Sequence, residues 1–588
     1  MSRRTKRLIG AGAAATVAIG VAVATVPTAL AESESIIDIQ MLAINDFHGN
    51  LEPPEGSSGS VTYIDENGEE VEVEAGGAEY LATHLAQARE GHDNTVTVAA
   101  GDLIGGSPFL SAAFHDEPTI ESLDAMGLDV SSVGNHEFDE GIEELHRIQE
   151  GGCHPDDGCV DPDQPYGGAD FPFLGANVVN KHTGLPELPP VWVKDFEDAR
   201  VGFIGMTLEG TGNIVSKEGI KDLEFKDEVE TANFYAKLLQ AVGVKSIVVL
   251  LHEGGLPADG AVNYDCDSPG PGDGISGPIV DIAENLDAEI DLVVTGHTHE
   301  AYTCTIDDPA GQPRMVTSGS SFGRLFTEIN LGYDEASGDI VRTSVTAENR
   351  IVTRDVTPDA DQTELIETFG ELVEPIANEK IGYLAEDILM GETRNVESPL
   401  GDLVADMQLW ATADADAGGA QIAFMNPGGI RADLTYAESG SEGDGVVSYA
   451  DAFTVQPFNN YLVTVDLTGE QIVTALQQQF SGANAETNLM LQPSEGFTYT
   501  VDESAEGADK ILVDTVMLNG EALDMAATYR VTINSFLSEG GDGFEVFAEG
   551  ENELYGPLDI DAFKNWLLEN TTESSPVTAP AADRVSYQ

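Results

Sequence analysis

Five short stretches of this 588-residue chain carry side chains that can bind metal or move protons. They are Asp46-Phe47-His48, Gly101-Asp102, Gly134-Asn135-His136-Glu137-Phe138-Asp139, His252, and Gly296-His297-Thr298-His299, and each stands at the end of a hydrophobic run. Asp46, His48, Asp102, Asn135, His252, His297 and His299 supply oxygen and nitrogen donors without a thiolate. Seven such groups exceed what one tetrahedral zinc takes, and they suit two cations about 4 Å apart sharing a carboxylate. His297 and His299 alternate along an extended segment, so both project to one face. His136 and Asp139 are a different kind of pair. If Phe138-Asp139-Glu140 opens a helix from Gly141 to Gln149, Asp139 turns back onto the imidazole, fixing its tautomer and favouring its protonated form. Of the 11 histidines, four are candidate ligands, His136 is a catalytic candidate, and six have no role in the site.

The elements that must position these residues follow from hydrophobic periodicity. Strands are expected at Ile36–Ile44, Thr95–Ala100, Phe173–Val178, Val201–Met206, Ser246–Leu251 and Asp291–Val294, with a short one before Gly134. Helices are expected at Ala78–Arg89, Pro118–Met126, Glu228–Ala241 and near Ile279–Leu286. Residues 55–75 and 151–170 read as insertions. This alternation implies a layered α/β (α+β) fold, in which ligands collect outside strand ends. Residues 355–380 read as a helical linker interrupted by Pro375. A second mixed α/β domain follows over 381–575, with a tail at 576–588. Ser398-Pro399 marks a helix start, and Leu400, Leu403, Val404, Met407 and Trp410 form its apolar stripe, read as core.

Residues 1–31 read as a secretory signal: Arg3, Arg4, Lys6 and Arg7 precede an Ala/Val/Ile-rich run that ends in small residues at Ala31. The expected product is secreted, extracellular or in the cell envelope, without a transmembrane segment. Removing those four cations takes the formal charge from −78 to −82. Such a surface repels nucleic acid and anionic membranes, so a polymeric nucleic-acid partner is not expected. Four cysteines in an exported chain suggest disulfides. Cys153 pairs with Cys159 on loop proximity, leaving Cys266 for Cys304; metal binding by cysteine is the weaker alternative.

The ordered blocks Asp-x-His, Gly-Asp, Gly-Asn-His-Glu, His and Gly-His-Thr-His resemble those of the calcineurin-like metallophosphoesterases. In the second half, Glu397-Ser398-Pro399-Leu400-Gly401-Asp402, Asn426-Pro427-Gly428-Gly429-Ile430-Arg431 and Gly540-Gly541-Asp542-Gly543-Phe544 resemble the C-terminal domain of the 5'-nucleotidase family. The resemblance implies a four-layer metallophosphoesterase sandwich over 32–354 and a substrate-binding domain over 381–575. It implies a first divalent metal on Asp46, His48 and His299, a second on Asn135, His252 and His297, and Asp102 bridging. Zinc or manganese is the expected metal. His136 and Asp139 match the family's catalytic dyad. Arg394 and Arg431 match its phosphate-binding arginines, Asn426 and Asp542 its substrate contacts, and Phe458 and Phe536 the aromatic pair around the base. The implied activity is release of phosphate from nucleoside 5'-monophosphates such as AMP, by a monomer or homodimer. UDP-sugar hydrolysis and 2',3'-cyclic nucleotide phosphodiesterase activity are alternatives within the same chemistry. A non-catalytic acidic protein that binds metal or nucleotide is the alternative of another class.

Overall fold

The computed structural model describes residues 36–588 except 55–57, 65–69, 156, 161–162, 216–218, 268–269, 271, 392, 438–442, 459 and 486. The expected signal segment lies outside the described residues. Two sheets face each other in the N-terminal half. In the seven-stranded sheet, Ile36–Ile44 runs parallel to Thr95–Ala100, then Val130–Ser132 and Phe173–Leu174. In the six-stranded sheet, Ser246–His252 lies between Arg200–Thr207 and Leu292–Thr295, again parallel.

Side-chain alternation builds the layers. Ile39, Met41, Ala43, Val96 and Val98 meet Phe203, Val248, Leu250 and Val294 between the sheets. The intervening Leu42, Ile44 and Ala99 pack on Leu81, Leu85, Ile120 and Leu123 of the helices Ala78–Arg89 and Glu117–Met126. On the other side Ile247, Val249 and Leu251 pack on Ala236, Leu239, Ile279 and Ile282 of Glu228–Ala241 and Pro278–Asn285. Both faces of the central strands are therefore buried, which is why they read as continuous apolar runs. Each fully buried side chain of this kind contributes roughly 1.5–3 kcal/mol. The result is helix, sheet, sheet, helix.

The C-terminal half holds a five-stranded sheet, ordered Gln492–Pro493, Ile422–Met425, Thr528–Asn534, Tyr461–Thr468 and Glu551–Leu558. Helices Pro399–Thr412, Gly469–Gln478 and Asp559–Asn570 accompany it. The Ser398 hydroxyl caps the first of these, accepting from Gly401 N at 3.1 Å.

Several expectations are corrected. Phe173–Val178 divides into Phe173–Leu174 and Val178–Asn180. Asp139 lies outside the helix, which spans Ile142–Glu150; His136–Phe138 is instead a 3₁₀ turn, and Asp139 closes it. Trp410 is 38% exposed, at the edge of an otherwise buried stripe. The stretch expected to be a tail supplies a strand, Val585–Tyr587, parallel to Phe497–Val501, with Arg584 held by both oxygens of Asp406 at 2.7 Å. Helix Ala360–Ala377 runs through Pro375 and is docked on the N-terminal half. Gln362 exchanges hydrogen bonds with Ser122, and Phe369 meets Phe114 at 5.0 Å. Cys153–Cys159 and Cys266–Cys304 are both bonded, as expected.

Candidate active site

Parallel strands from both sheets point their carboxyl ends at one rim, and the polar blocks follow directly. Asp46 and His48 come after Ile36–Ile44, Asp102 after Thr95–Ala100, and Asn135 after Val130–Ser132. His252 ends its strand, and His297 and His299 follow Leu292–Thr295. All seven meet. Asp46, His48 and His299 form one group of ligand atoms within 4.8 Å of one another, and Asp102, His252 and His297 form another. His48 Nε2 is 3.2 Å from His299 Nε2 and 3.7 Å from Asp102 Oδ2. Asn135 Oδ1 is 3.1 Å from His297 Nδ1. Asp102 thus stands between the groups, where a bridging carboxylate belongs. A third grouping puts His136 beside His48 and Asp102.

The backbone bends sharply to deliver these groups. Asp46, His48, Asp102, His297 and His299 all have positive φ, between 46° and 74°. That region is unfavourable for residues with a Cβ, and such strain concentrates at functional sites. Gly134 serves a close approach: a Cβ there would run into the Asp102 carboxylate and His252.

Hydrogen bonds from the other ring nitrogens orient the histidines. His48 Nδ1 reaches Gly105 O at 2.8 Å, and His252 Nδ1 reaches Ala100 O at 2.7 Å, so both Nε2 atoms face inward. Burial pushes His297 down to about 3, helped by the neighbouring His252 charge, and holds His48 and His299 well below the ordinary histidine range. Those three rings favour the neutral form that metal binding requires; His252 does not. Burial opposes a charge on His252, but Asp102 lifts it to about 10. Burial also acts against Asp102, yet His252 and His136 hold its carboxyl well below the usual range.

The residues fit two divalent cations. His252 Nε2 is buried and lacks a well-directed hydrogen bond although Asp102 Oδ2 is 2.8 Å away. Donors that approach without pointing at each other are aimed at a common point. The oxygen and nitrogen set suits zinc, manganese or iron.

His136 Nδ1 is 2.8 Å from Asp139 Oδ2, and its backbone N–H donates to Asp102 Oδ1 at 2.8 Å. Burial works against the imidazolium, but Asp139 and Asp102 raise His136 above the ordinary value. The other half of the chain supplies the facing wall. Phe458 stacks on His136 with centroids 5.6 Å apart and planes 19° apart, and the Arg431 guanidinium lies 5.8 Å from the Phe458 ring. Burial and the neighbouring Arg394 push Arg431 down to about 10, while Asp102, Asp139 and Asp46 act the other way. Arg431 Nη2 is buried without a hydrogen-bond partner. Asn426 Nδ2 donates to Asp542 Oδ2 at 2.8 Å, and Asn534 Nδ2 to Asn426 Oδ1 at 2.9 Å. Phe536 is half-buried against Gly541; it has no ring contact with Phe458 among the described residues.

Residues 39–301 match the family model described as calcineurin-like phosphoesterase, and 380–549 the 5'-nucleotidase C-terminal domain. The cell wall protein Lmo0130 of Listeria monocytogenes is 34% identical over 586 residues, covering 95% of this chain and 70% of that protein. The chain belongs to the 5'-nucleotidase family. It is accordingly a metal-dependent phosphoester hydrolase. A family member named 5'-nucleotidase in Vibrio cholerae is 27% identical over 607 residues, covering 96% of each chain. Two Bacillus subtilis relatives are longer, and this chain spans only 39% and 35% of their lengths. The solved structure of a 5'-nucleotidase precursor from Thermus thermophilus shares the fold, with a TM-score of 0.74 at 24% identity, covering 94% of this chain and 99% of that one. No helix among the described residues is long and apolar enough to cross a membrane.

Two residues in and beside the family blocks do work that is visible only in three dimensions. Glu137 is buried, and its carboxylate accepts from the backbone of Asp102, Leu103 and Gly134, tying two ligand loops together. Burial, then Asp102, raises it to about 7. Asn45 donates to Asp46 Oδ2 and Ser320 O, both at 2.6 Å, and so fixes the first ligand. The place of Glu137 in the Gly-Asn-His-Glu block was the one sequence signal for it.

Proposed function

We propose that this chain is an exported 5'-nucleotidase that releases phosphate from nucleoside 5'-monophosphates at a two-metal centre. Asp46, His48 and His299 would hold one cation, Asn135, His252 and His297 the other, with Asp102 between. When bound, the cations lower the pKa of a water and screen the phosphate dianion. The observation that carries the reading is the buried, unpartnered Arg431 Nη2 beside Phe458, which itself stacks on His136. A guanidinium with one nitrogen still lacking an acceptor, at an aromatic face beside a metal centre, suits a phosphate attached to a planar base. Arg431 would grip phosphate oxygens with its planar fork, and Arg394 would add charge. His136, kept protonated by Asp139, would donate to the phosphoryl or leaving oxygen. Asn426 and Asp542, already bonded to each other, would contact the nucleoside. Phe458 and Phe536 would enclose the base, which requires Phe536 and Phe458 to approach on binding.

The test is phosphate release from AMP, UDP-glucose and 2',3'-cyclic AMP, with zinc or manganese and with a chelator. The expected outcome is release that the chelator abolishes, with the highest kcat/KM for AMP. Faster turnover of UDP-glucose or the cyclic nucleotide would replace the substrate assignment. No release from any of the three by metal-loaded protein would leave a binding protein instead.

A further inference from the structure

Two of the six histidines without a role in the active site lie face to face. His115 and His154 stack with centroids 3.7 Å apart and planes 13° apart. Their environment is acidic on each side. His115 Nδ1 is 2.9 Å from Glu140 Oε2, and its Nε2 is 3.0 Å from Asp157 Oδ2. Asp157 Oδ2 is also 3.6 Å from His154 Nδ1. Ligand atoms of His115, His154, Glu140 and Glu144 all fall within 4.8 Å of one another. Two imidazoles and two carboxylates from three separate segments are a donor set, not an acidic patch.

Each segment is held from behind. His154 lies beside the Cys153–Cys159 disulfide, and its backbone bonds both ways with Gly158, at 3.0 Å each. The preceding sequence stretch presents His115 from a left-handed turn, φ 52°, followed by Asp116 at 61°. Asp116 is buried and bonded to Gly105 N and Ser111 Oγ, so the turn is fixed from inside. Glu140 directly follows Asp139, and Glu144 stands on helix Ile142–Glu150, where it also binds Arg147. Both histidine side chains are largely covered, at 19% and 14% exposure.

We propose that His115, His154 and Glu140, with Glu144 and Asp157 at the margin, form a third divalent-cation site, separate from the two-metal centre. Imidazole with carboxylate suits zinc and the neighbouring first-row metals; a tetrahedral ion at ~2.0–2.1 Å from each donor would draw the ligand atoms together and turn the two stacked rings until their in-plane lone pairs converge on it. Such an ion would take over from His115 the task of holding Glu140 and Asp157 together, while Glu144 keeps Arg147 as its second partner. It joins the disulfide loop to the turn that carries Asp139, so it stiffens the support of His136 from the side away from the active-site metals. It takes no part in bond making.

The experiment uses the whole protein, stripped with chelator, loaded with zinc ion and desalted, with bound zinc measured by mass spectrometry. Wild type is expected to retain one equivalent more than His154→Ala, and one more than Glu140→Gln. Circular dichroism identifies a variant that has failed to fold, and the second variant then carries the comparison. Because the readout is a difference, it holds whatever the active-site metals contribute. Equal zinc in wild type and the folded variants overturns the site. Loss of two or more equivalents overturns it too, since the residues would then be acting through the two-metal centre.

Discussion

At the scale of single residues, the proposed centre assigns one set of groups to metal and another to substrate. His136→Ala is expected to lower kcat by ~10²–10⁴-fold while metal content stays that of wild type. Its Nδ1 is already engaged by Asp139, and the ligand sets are complete without it. Elemental analysis that finds metal lost with the imidazole would make His136 a ligand, as its grouping with His48 and Asp102 allows. Arg431→Lys keeps the charge and loses the fork, so kcat/KM for AMP should fall at least tenfold with protein stability unchanged. The candidate ligands, which the fold brings together, were legible in the sequence because each polar block ends an apolar strand. Asn45 was not, and Glu137 only through its block, since the bonds to Ser320 O and to the backbone of Asp102 and Leu103 join stretches distant in the chain. The contact of Phe458 with His136 was equally hidden, because it depends on how the two halves meet.

Elements place these residues, and their fixings can be tested separately. Helix Ala360–Ala377 was legible from its spacing, yet its attachment was not. The 1%-exposed Gln362 takes the Ser122 hydroxyl hydrogen at 2.6 Å and donates to Ser122 O at 3.0 Å. Gln362→Ala leaves that hydroxyl buried and unpaired, a change of about 1–3 kcal/mol readable as a lower urea midpoint. The helix is docked on the N-terminal half and also meets helix Tyr449–Val455 of the C-terminal half, so it spans the junction between them. Helix Asp559–Asn570 carries a pH-dependent cost. Burial raises Asp559 from 3.8 to about 7, with Ile560 N and Asn460 acting the other way. The protonated carboxyl is favoured in the folded state, so its contribution is fully present below pH 3.8 and is lost as pH rises through 7. Asp559→Asn should therefore gain stability relative to wild type as pH rises across that window. A difference that is flat with pH in chemical denaturation would show that the carboxyl does not titrate on unfolding.

For the molecule as a whole, charge is the dominant fact. A formal −78 opposes an approaching nucleotide, while Arg394 and Arg431 reverse the potential only locally. Salt shortens the Debye length to about 10 Å at 0.1 M and mutes the distant coat before it touches close contacts. kcat/KM for AMP is thus expected to rise from low to moderate salt, with Arg431→Lys impaired throughout. Unfolding followed in the same samples separates this from salt stabilisation of the fold. A monotonic fall with the fold intact would mean that the positive pocket governs encounter even at range. Composition made the acidity plain, and periodicity made the layers plain. The C-terminal strand Val585–Tyr587 escaped notice because three residues carry too little pattern to separate a strand from a loose end.

The left-handed turns at Asp46, His48, Asp102, His297 and His299 leave an imprint on how this sequence can drift over generations. Glycine would relieve each turn at no steric cost, and asparagine at little. The same side chains accept from His297 N and His136 N and reach Gly105 O, so a glycine that relaxes the turn also unpairs buried backbone groups.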